Sequence, residues 1–188
     1  MSTLHVENLK GLSSGGNANK VILSSDQTLY SPGHVVQTVL GPSFGLERTI
    51  GATSFTLFDS ALAATITPNF STSKILVTCT IGNFMFWSSN TTDARVQFGI
   101  SRDSGSSFIR EYNNRYYNYG SGGAQIHYTP TLVHLDSPSS TSALTYNLYG
   151  KAGSTNADMR LNDDQNQAGV SGTAGACFTQ FILQEIAQ

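Results

Sequence analysis

The sequence feature that most constrains the fold is an alternation of apolar and polar side chains with a period of two. It is longest between residues 75 and 87, and it recurs at Val96, Phe98 and Ile100 and again between residues 144 and 148. A period of two places one set of side chains on a single face of a β-sheet. No segment keeps the 3.6-residue period of an amphipathic helix. The pattern therefore predicts half-buried antiparallel strands.

The composition also favours an all-β chain. The 188 residues include 24 serines and 20 threonines, and only 12% are charged, which is typical of strands with a polar but weakly ionic surface. A chain of this length can bury enough surface to form one core. We expect about eight to ten strands in an antiparallel jelly-roll β-sandwich. The predicted strands lie near residues 34–40, 53–58, 61–67, 74–87, 94–102, 107–111, 124–135, 143–152, 157–161 and 174–186.

Residues 1–33 differ from the rest of the chain. They hold two short apolar pieces separated by a stretch rich in Gly, Ser and Asn. This is too little apolar surface for a separate core, so we expect an extended attachment segment that docks on its own domain, on sister chains or on a larger assembly. Residues 34–188 form the predicted sandwich domain. The candidate attachment residues are Leu4, Val6, Leu9, Val21, Ile22 and Leu23.

The charge balance argues against several kinds of partner. A formal net charge of -2 and a pI of about 6.0 leave no cluster of Lys and Arg for nucleic acid or anionic lipid. No apolar stretch approaches the roughly 20 residues that cross a bilayer, and the first residues lack the pattern of an export signal. We therefore expect a soluble product that neither binds nucleic acid nor inserts into a membrane.

Residue types that carry catalysis or bind metals form no familiar motif. Cys79 and Cys177 lie far apart in apolar runs and are expected to be buried free thiols. The four histidines are dispersed, and His127 and His134 would point to opposite faces of one strand. The acidic residues mostly fall in turn-like sequences, where Asp is common for backbone reasons. We therefore expect no cofactor, no metal and no enzyme; only equivalent histidines around a three-fold axis are left open as an ion site.

One segment, residues 111–120, has the composition of a binding loop. Tyr offers a flat amphipathic face, Asn both donates and accepts hydrogen bonds, and Arg adds fixed donors. Either a sugar ring stacks on these tyrosines, or the tyrosines cap the sandwich or pack on a neighbouring subunit. Residues 87–93 form a second, weaker candidate loop. The candidate ligand-binding residues are Tyr112, Asn113, Asn114, Arg115, Tyr116, Tyr117 and Tyr119, with Trp87 and Asn90.

The last run, residues 176–186, is apolar on both faces. A strand of this kind is either central to a sandwich or placed at a subunit contact. The candidate oligomer-interface residues are Phe178, Phe181, Ile182, Leu183 and Ile186.

Three sets of residues carry a resemblance to a known family: residues 4–11, 18–23 and 27–29, then 32–39, 64–68 and 73–77, and finally 181–187. On these residues, and over nearly its whole length, the chain resembles small structural proteins of tailed bacteriophages, especially those that infect cyanobacteria. The opening residues resemble the N-terminal attachment stretch of phage fibre-type proteins, and the later ones resemble their shared domain.

The resemblance implies a trimeric jelly roll similar to tumour-necrosis-factor-like domains, with the N-terminal segment held by other virion proteins and no shared catalytic residues. The leading hypothesis is a non-enzymatic virion protein, a homotrimeric fibre, knob or tail-tip subunit that presents loops to a host-surface glycan. A capsid-decorating or tail-connecting protein with no receptor role is the alternative, and a glycan depolymerase is the third. The expected location is the virion, after synthesis in the host cytoplasm.

Overall fold

The computed structural model describes residues 14–15, 31–88, 94–116, 124–153, 157–163 and 177–188. The predicted all-β class is confirmed: within these residues every paired strand is antiparallel, and the only helix is a 3-10 turn at Ser60–Leu62. The strands are β1 (Val35–Leu40), β2 (Arg48–Ile50), β3 (Thr56–Leu57), β4 (Ala64–Ile66), β5 (Lys74–Thr80), β6 (Phe84–Ser88), β7 (Ala94–Ser101), β8 (Arg110–Tyr116), β9 (Ala124–Tyr128), β10 (Thr131–Asp136), β11 (Leu144–Ala152), β12 (Ala157–Leu161) and β13 (Gln180–Ile186).

The described strands form three sheets that wrap as a jelly roll. The first sheet has the order β1-β13-β5-β10, and the second has the order β3-β11-β7-β8, with β4 also paired to β11. The third sheet has the order β2-β12-β6-β9. Early strands pair with late ones, β1 with β13 and β4 with β11, until β7 and β8 meet as a central hairpin. This nested antiparallel pairing is that of the predicted jelly-roll β-sandwich.

The core lies between the inward faces of the sheets. Both β5 and β13 bury every second residue, as the period of two predicts. Phe84 of the third sheet meets Phe98 of the second edge to face, with ring centroids 4.9 Å apart. Such a ring pair adds about 0.5–1.5 kcal/mol to the roughly 1.5–3 kcal/mol that each buried large side chain contributes. The largest fully buried side chains are Tyr146, Phe84, Phe86, Phe98, Phe181, Leu62, Ile66, Ile75, Ile81, Met85, Ile100 and Leu148.

The prediction of single strands at 74–87 and 124–135 is wrong, because both strands bend and change sheet. β5 pairs with β10 in the first sheet, whereas β6 pairs with β9 in the third. The bend falls at Gly82, where an added Cβ would lie within 2.6 Å of the backbone of a neighbouring segment. Ile81 N donates to Pro130 O at 2.9 Å across the bend. One long two-stranded ribbon therefore joins the two sheets, and it places His127 and His134 on different strands.

A buried polar cluster, made by Asn162, Thr179, Gly82 and the carbonyls of Phe44 and Leu46, secures this bend; we call it the corner cluster. Asn162 donates from Nδ2 to those two carbonyls at 2.8 and 3.1 Å. Thr179 donates to Asn162 Oδ1 at 3.0 Å and accepts from Gly82 N at 3.2 Å. The φ of Asn162 is +53°, a left-handed conformation that Asn adopts more readily than most residues. These hydrogen bonds therefore connect four parts of the chain that are far apart in sequence.

Two expectations about buried groups need correction. Cys79 is buried as predicted, but Cys177 is only half-buried and precedes the last strand. Asp136 is one of the acidic residues that the sequence places in a turn, yet it ends β10 and is buried. Its Oδ2 accepts from the buried Tyr146 hydroxyl at 2.8 Å and lies 3.4 Å from Arg102 Nε. Burial is tolerated because the carboxylate has both a hydrogen bond and a cationic neighbour.

Candidate functional site

Most of the predicted Tyr- and Asn-rich loop is a strand. Residues 112–116 belong to β8, which pairs residue by residue with β7 from Ala94 to Ile100. The expectation of a loop is therefore wrong at these positions, because the polar residues alternate on an antiparallel hairpin. Tyr117 and Tyr119 lie outside the described residues, as does Asn90.

The structure brings three of the predicted residues together in a groove on the outward face of β7 and β8. Its lining is Arg95, Gln97, Asn113, Asn114 and Arg115, and its volume is about 330 Å³. The groove lies outside the core because Val96, Phe98 and Ile100 occupy the inward positions of β7. We call these five lining residues the arginine groove.

The register of the hairpin determines which groups meet in the arginine groove. Arg95 lies directly opposite Arg115, and Gln97 lies directly opposite Asn113. The Gln97 Nε2 group donates to Asn113 Oδ1, so the two amides are held side by side. Both arginine residues are exposed. Two fixed cations and a pair of amides thus share one concave surface.

Tyr112 and Asn114 are held by hydrogen bonds to other strands. The Tyr112 hydroxyl donates to Val133 O at 2.6 Å, and Asn114 Nδ2 donates to the Tyr128 hydroxyl at 2.9 Å. Burial raises the pKa of Tyr112 above its ordinary value, and the cationic Arg110 only partly opposes this. Tyr112 therefore links the second sheet to the first through its hydroxyl group. This contact fits a tyrosine that caps the sandwich better than a tyrosine on which a sugar ring stacks.

An aromatic cluster lies on the same outward face as the arginine groove. Phe55 and Phe108 have ring centroids 4.2 Å apart, and Phe108 meets Tyr149 at 5.5 Å. They pack over Gly99, where an added Cβ would lie 2.5 Å from Phe108. Lys151 pairs with Gln97 and places Nζ 5.6 Å from the Phe55 ring centroid. A cation and apolar rings therefore lie beside the groove on this face.

Trp87 does not join this site. It lies on β6 in the third sheet, opposite Gln125 and Asp158, and 37% of its surface is exposed. It is not among the residues that line the arginine groove. As a candidate binding residue it therefore stands alone in the described part of the chain.

A second surface covers the outward side of the first sheet. Leu40, Val133 and Leu135 are 65%, 52% and 46% exposed there. The register aligns Leu40, Ile182, Thr78 and Val133 in one row across the four strands. We call this surface the apolar face, and it comprises Leu40, Leu76, Val133, Leu135, Ile182 and Ile186.

The apolar face contains little charge. All four strands of the first sheet are fully described, and their outward positions carry one ionisable side chain, Lys74, at one end beside Ile186. An exposed sheet face with several large apolar side chains and so few ions is typical of a surface that contacts another protein.

The predicted oligomer-interface residues divide between the two sides of β13. Ile182 and Ile186 lie half-buried on the apolar face, and Phe178 is 50% exposed just before the strand. Phe181 and Leu183 are fully buried in the core of their own chain. Their prediction as interface residues is wrong, because β13 is central in the first sheet and its inward positions are already covered.

An ion-pair network in the described part of the chain is centred on Asp163. Asp163 is buried, with Oδ2 3.5 Å from His127 Nδ1 and Oδ1 3.7 Å from Arg160. Arg160 also lies 3.7 Å from Glu47 Oε1. Among the described residues, no group of three or more His, Cys, Asp and Glu side chains is placed to hold a metal ion. The network joins β9 and β12 across the third sheet.

Sequence reasoning missed Arg95, Gln97 and the four-strand apolar face. Arg95 and Gln97 were identifiable as the polar side of the alternation around Val96, but only the register of β7 and β8 shows what they face. The predicted attachment residues, Leu4, Val6, Leu9, Val21, Ile22 and Leu23, lie outside the described residues.

Comparison with known proteins adds no relative. No protein-family model matches the chain, and no curated protein matches it. In the described part of the chain, no helix has the length and apolar character needed to cross a membrane.

Proposed function

We propose that this protein is a non-enzymatic virion subunit that assembles as a homotrimer and presents a recognition surface to the host cell. The observation that carries the proposal is the apolar face, on which Leu40, Val133 and Leu135 are each about half exposed or more. The resemblance of the chain to phage fibre-type proteins supplies the virion context.

A copy of the same chain suits the apolar face because of its charge. In a symmetric oligomer equivalent surfaces meet around an axis, so any charge on the face would lie close to its own copies. The outward positions of the first sheet avoid the electrostatic repulsion that such charges would cause, since Lys74 is at one end and no acidic side chain is present among them. Burial of several Leu, Ile and Val side chains then favours association.

The position of the two surfaces fits a recognition subunit. The apolar face is on the first sheet and the arginine groove is on the second, so association through the first sheet leaves the groove open. Three copies would display three grooves, and multivalent attachment can exceed single-site affinity by ~10²–10⁴. Residues 1–33 would anchor the subunit to other virion proteins.

The test is the mass of the full chain in solution, measured by light scattering across a concentration series. We expect a trimer. Val133→Asp and Leu135→Asp place carboxylates in the apolar face and should yield folded monomers. Thr49→Asp makes the same change at an exposed position of β2 and should leave the trimer intact.

A clean monomer of the unaltered chain at micromolar concentration would refute the trimer. Trimers that survive both Val133→Asp and Leu135→Asp would show that another surface mediates assembly. Particles that carry the chain and adsorb normally when the arginine groove is altered would favour the decorating or connecting alternative. Sugar release from a host polysaccharide would establish the depolymerase instead.

A further inference from the structure

We infer that the outward face of the third sheet binds a neutral sugar, with its ring on Trp87 and its hydroxyl groups on Asp158 and Gln125. The inference rests on the proposed recognition function and adds a second contact surface for the same role. Trp87 is apart from the arginine groove, but two residues that the sequence did not single out flank it. The register places Asp158 directly opposite Trp87 on one side and Gln125 on the other. We call these three residues the tryptophan row.

The indole of Trp87 supplies a flat apolar surface. Trp87 is the one tryptophan of the chain, and 37% of its surface is exposed, whereas Phe86 and Ser88 before and after it on β6 are buried. An indole has an apolar face and an N–H donor at its edge. The C–H groups on one face of a pyranose ring are apolar as well, so the two faces stack. The sugar hydroxyls then project beyond the indole and need polar side chains beside it.

The flanking residues supply those polar groups. Side chains directly opposite on neighbouring antiparallel strands have Cβ atoms about 4.5–5.5 Å apart. The Asp158 carboxylate offers two acceptor oxygens, and the Gln125 amide both donates and accepts. A hydrogen bond from a hydroxyl to a carboxylate is roughly twice as strong as one between neutral groups. A sugar on Trp87 would therefore find a hydrogen-bond partner on each side of the indole.

The hydrogen-bonding capacity of the tryptophan row is unused within the described part of the chain. There, the Trp87 N–H, the Asp158 carboxylate and the Gln125 amide make no hydrogen bond or ion pair. Asp158 Oδ1 lies against Gly51, where an added Cβ would be 2.6 Å away. Any other residue at this position would displace the carboxylate, so Gly51 leaves room for it at that end of the row.

The charges on this face favour a neutral sugar over an acidic one. Asp158 is the one ionisable side chain of the tryptophan row, and it is an anion. The next outward row of the same strands holds Arg160 and His127, and both lie within 3.7 Å of the buried Asp163 carboxylate. An acidic sugar would be repelled by Asp158, and the neighbouring cations already have a carboxylate beside them.

The tryptophan row is compatible with the proposed trimer. It lies on the third sheet, whereas the apolar face lies on the first. Copies that associate through the first sheet would therefore each display one row. One indole and two polar side chains bind a sugar weakly, and three copies can raise the overall affinity by ~10²–10⁴.

The test uses the fluorescence of Trp87, which reports on this site alone because the chain has no other tryptophan. The full chain is titrated with maltotriose, mannotriose, galactotriose, trigalacturonate and sorbitol. We expect at least one neutral trisaccharide to change the emission saturably and to protect Trp87 from acrylamide quenching, with a Kd on the order of 1 mM. Trigalacturonate should bind more weakly, and sorbitol, which has hydroxyls but no ring, should have no effect.

Variants of the flanking residues locate the binding. Asp158→Ala should weaken the neutral sugar by at least about tenfold, and Gln125→Ala by about threefold to tenfold, because they remove a charged and a neutral hydrogen-bonding group respectively. Thr49→Ala is the matched control, because Thr49 is exposed on the same face, opposite Arg160 and outside the row. Calorimetry should detect no binding to Trp87→Ala. Thermal melts of all four variants verify that they fold.

Several outcomes would overturn the inference. They are an equal loss in Thr49→Ala, an equal response to sorbitol, tighter binding of trigalacturonate than of every neutral sugar, and no neutral-sugar binding by the folded chain. A shift of Trp87 emission when dilution dissociates the oligomer would also overturn it, because the indole would then lie in a subunit contact. Mass measurement on the same samples separates the two proposals: a trimer that binds no neutral sugar refutes only the ligand class, and a monomer that binds one refutes only the trimer.

Discussion

Gln37 Nε2 donates a hydrogen bond of 2.7 Å to Oε2 of Glu185, although 148 positions separate the two residues. The same carboxylate accepts from the backbone nitrogens of Asn69 and Phe70 at 2.9 and 3.1 Å and from Asn69 Nδ2 at 3.0 Å. Glu185 is buried at the inward side of β13. Glu185 therefore connects the segment between β4 and β5 to β1 and β13 of the first sheet.

The first prediction concerns the pH dependence of stability. Burial alone would raise the pKa of Glu185, but hydrogen bonds from Gln37, Asn69 and Phe70 outweigh it and hold the pKa below its ordinary value. A lowered folded-state pKa means that the contribution is present above the unfolded pKa of about 4.3 and is lost as pH falls through the folded pKa. We expect Glu185→Gln to cost about 1–3 kcal/mol at pH 7 in urea unfolding.

The same variant should flatten part of the acid-induced loss of stability. Glu111→Gln, at an exposed position of β8, is the control and should cost less than about 0.5 kcal/mol. If the two variants lose stability equally at pH 7, the Glu185 hydrogen bonds contribute nothing measurable.

The second prediction concerns the corner cluster. Asn162→Ala removes the donor to two carbonyls and the acceptor for Thr179, so we expect a loss of about 2–3 kcal/mol. Asn162→Gly loses the same hydrogen bonds but suits the φ of +53° better, so it should be less destabilised by roughly 0.5–1 kcal/mol. Chemical denaturation of both variants checks the order; a more stable alanine variant would contradict the backbone argument.

The third prediction compares two tyrosine hydroxyls. Tyr146→Phe leaves the buried Asp136 without its 2.8 Å donor, and we expect a cost of about 1.5–3 kcal/mol because that acceptor is charged. Tyr112→Phe removes a hydrogen bond of 2.6 Å to the neutral Val133 carbonyl near the surface, and a cost of about 0.5–1.5 kcal/mol is expected. Thermal melts of the pair measure the difference, and equal losses would show that burial of Asp136 is unimportant.

The fourth prediction concerns thiol reactivity. Burial raises the pKa of the Cys79 thiol well above its ordinary value, and the side chain lies in the core. Only the thiolate is nucleophilic, so iodoacetamide should modify Cys79 only after unfolding, while the half-buried Cys177 reacts earlier. Mass spectrometry of timed samples, with Cys177→Ser as control, reports the order. Rapid modification of the folded Cys177→Ser protein would disprove the assignment of Cys79 to the core.

The sequence was sufficient to predict the fold class because burial of one sheet face is a local signal. Val96, Phe98 and Ile100 alternate visibly, and β7 forms where the pattern predicts it. Phe181 and Leu183 were assigned to an interface because an apolar run does not show which of its two sides its own chain covers. The nested pairing makes β13 a central strand, and this position determines that its own chain covers the side with Phe181 and Leu183.

The candidate sites depended on register, which the sequence does not display. Arg95 and Arg115 are neighbours only because β7 and β8 turn back on each other in one of several conceivable alignments. The apolar face was harder still to foresee. Leu40, Val133 and Ile182 come from three strands whose adjacency follows from the whole topology.

The central place of β13 has a consequence for synthesis. This strand, residues 180–186, lies between β1 and β5, so β1 lacks its partner in the first sheet, and β5 lacks one of its two partners, until these residues have been synthesised. A nascent chain that lacks these residues would leave the interior of the first sheet open to water. Folding of this domain is therefore expected to be completed only after residues 180–186 have left the ribosome.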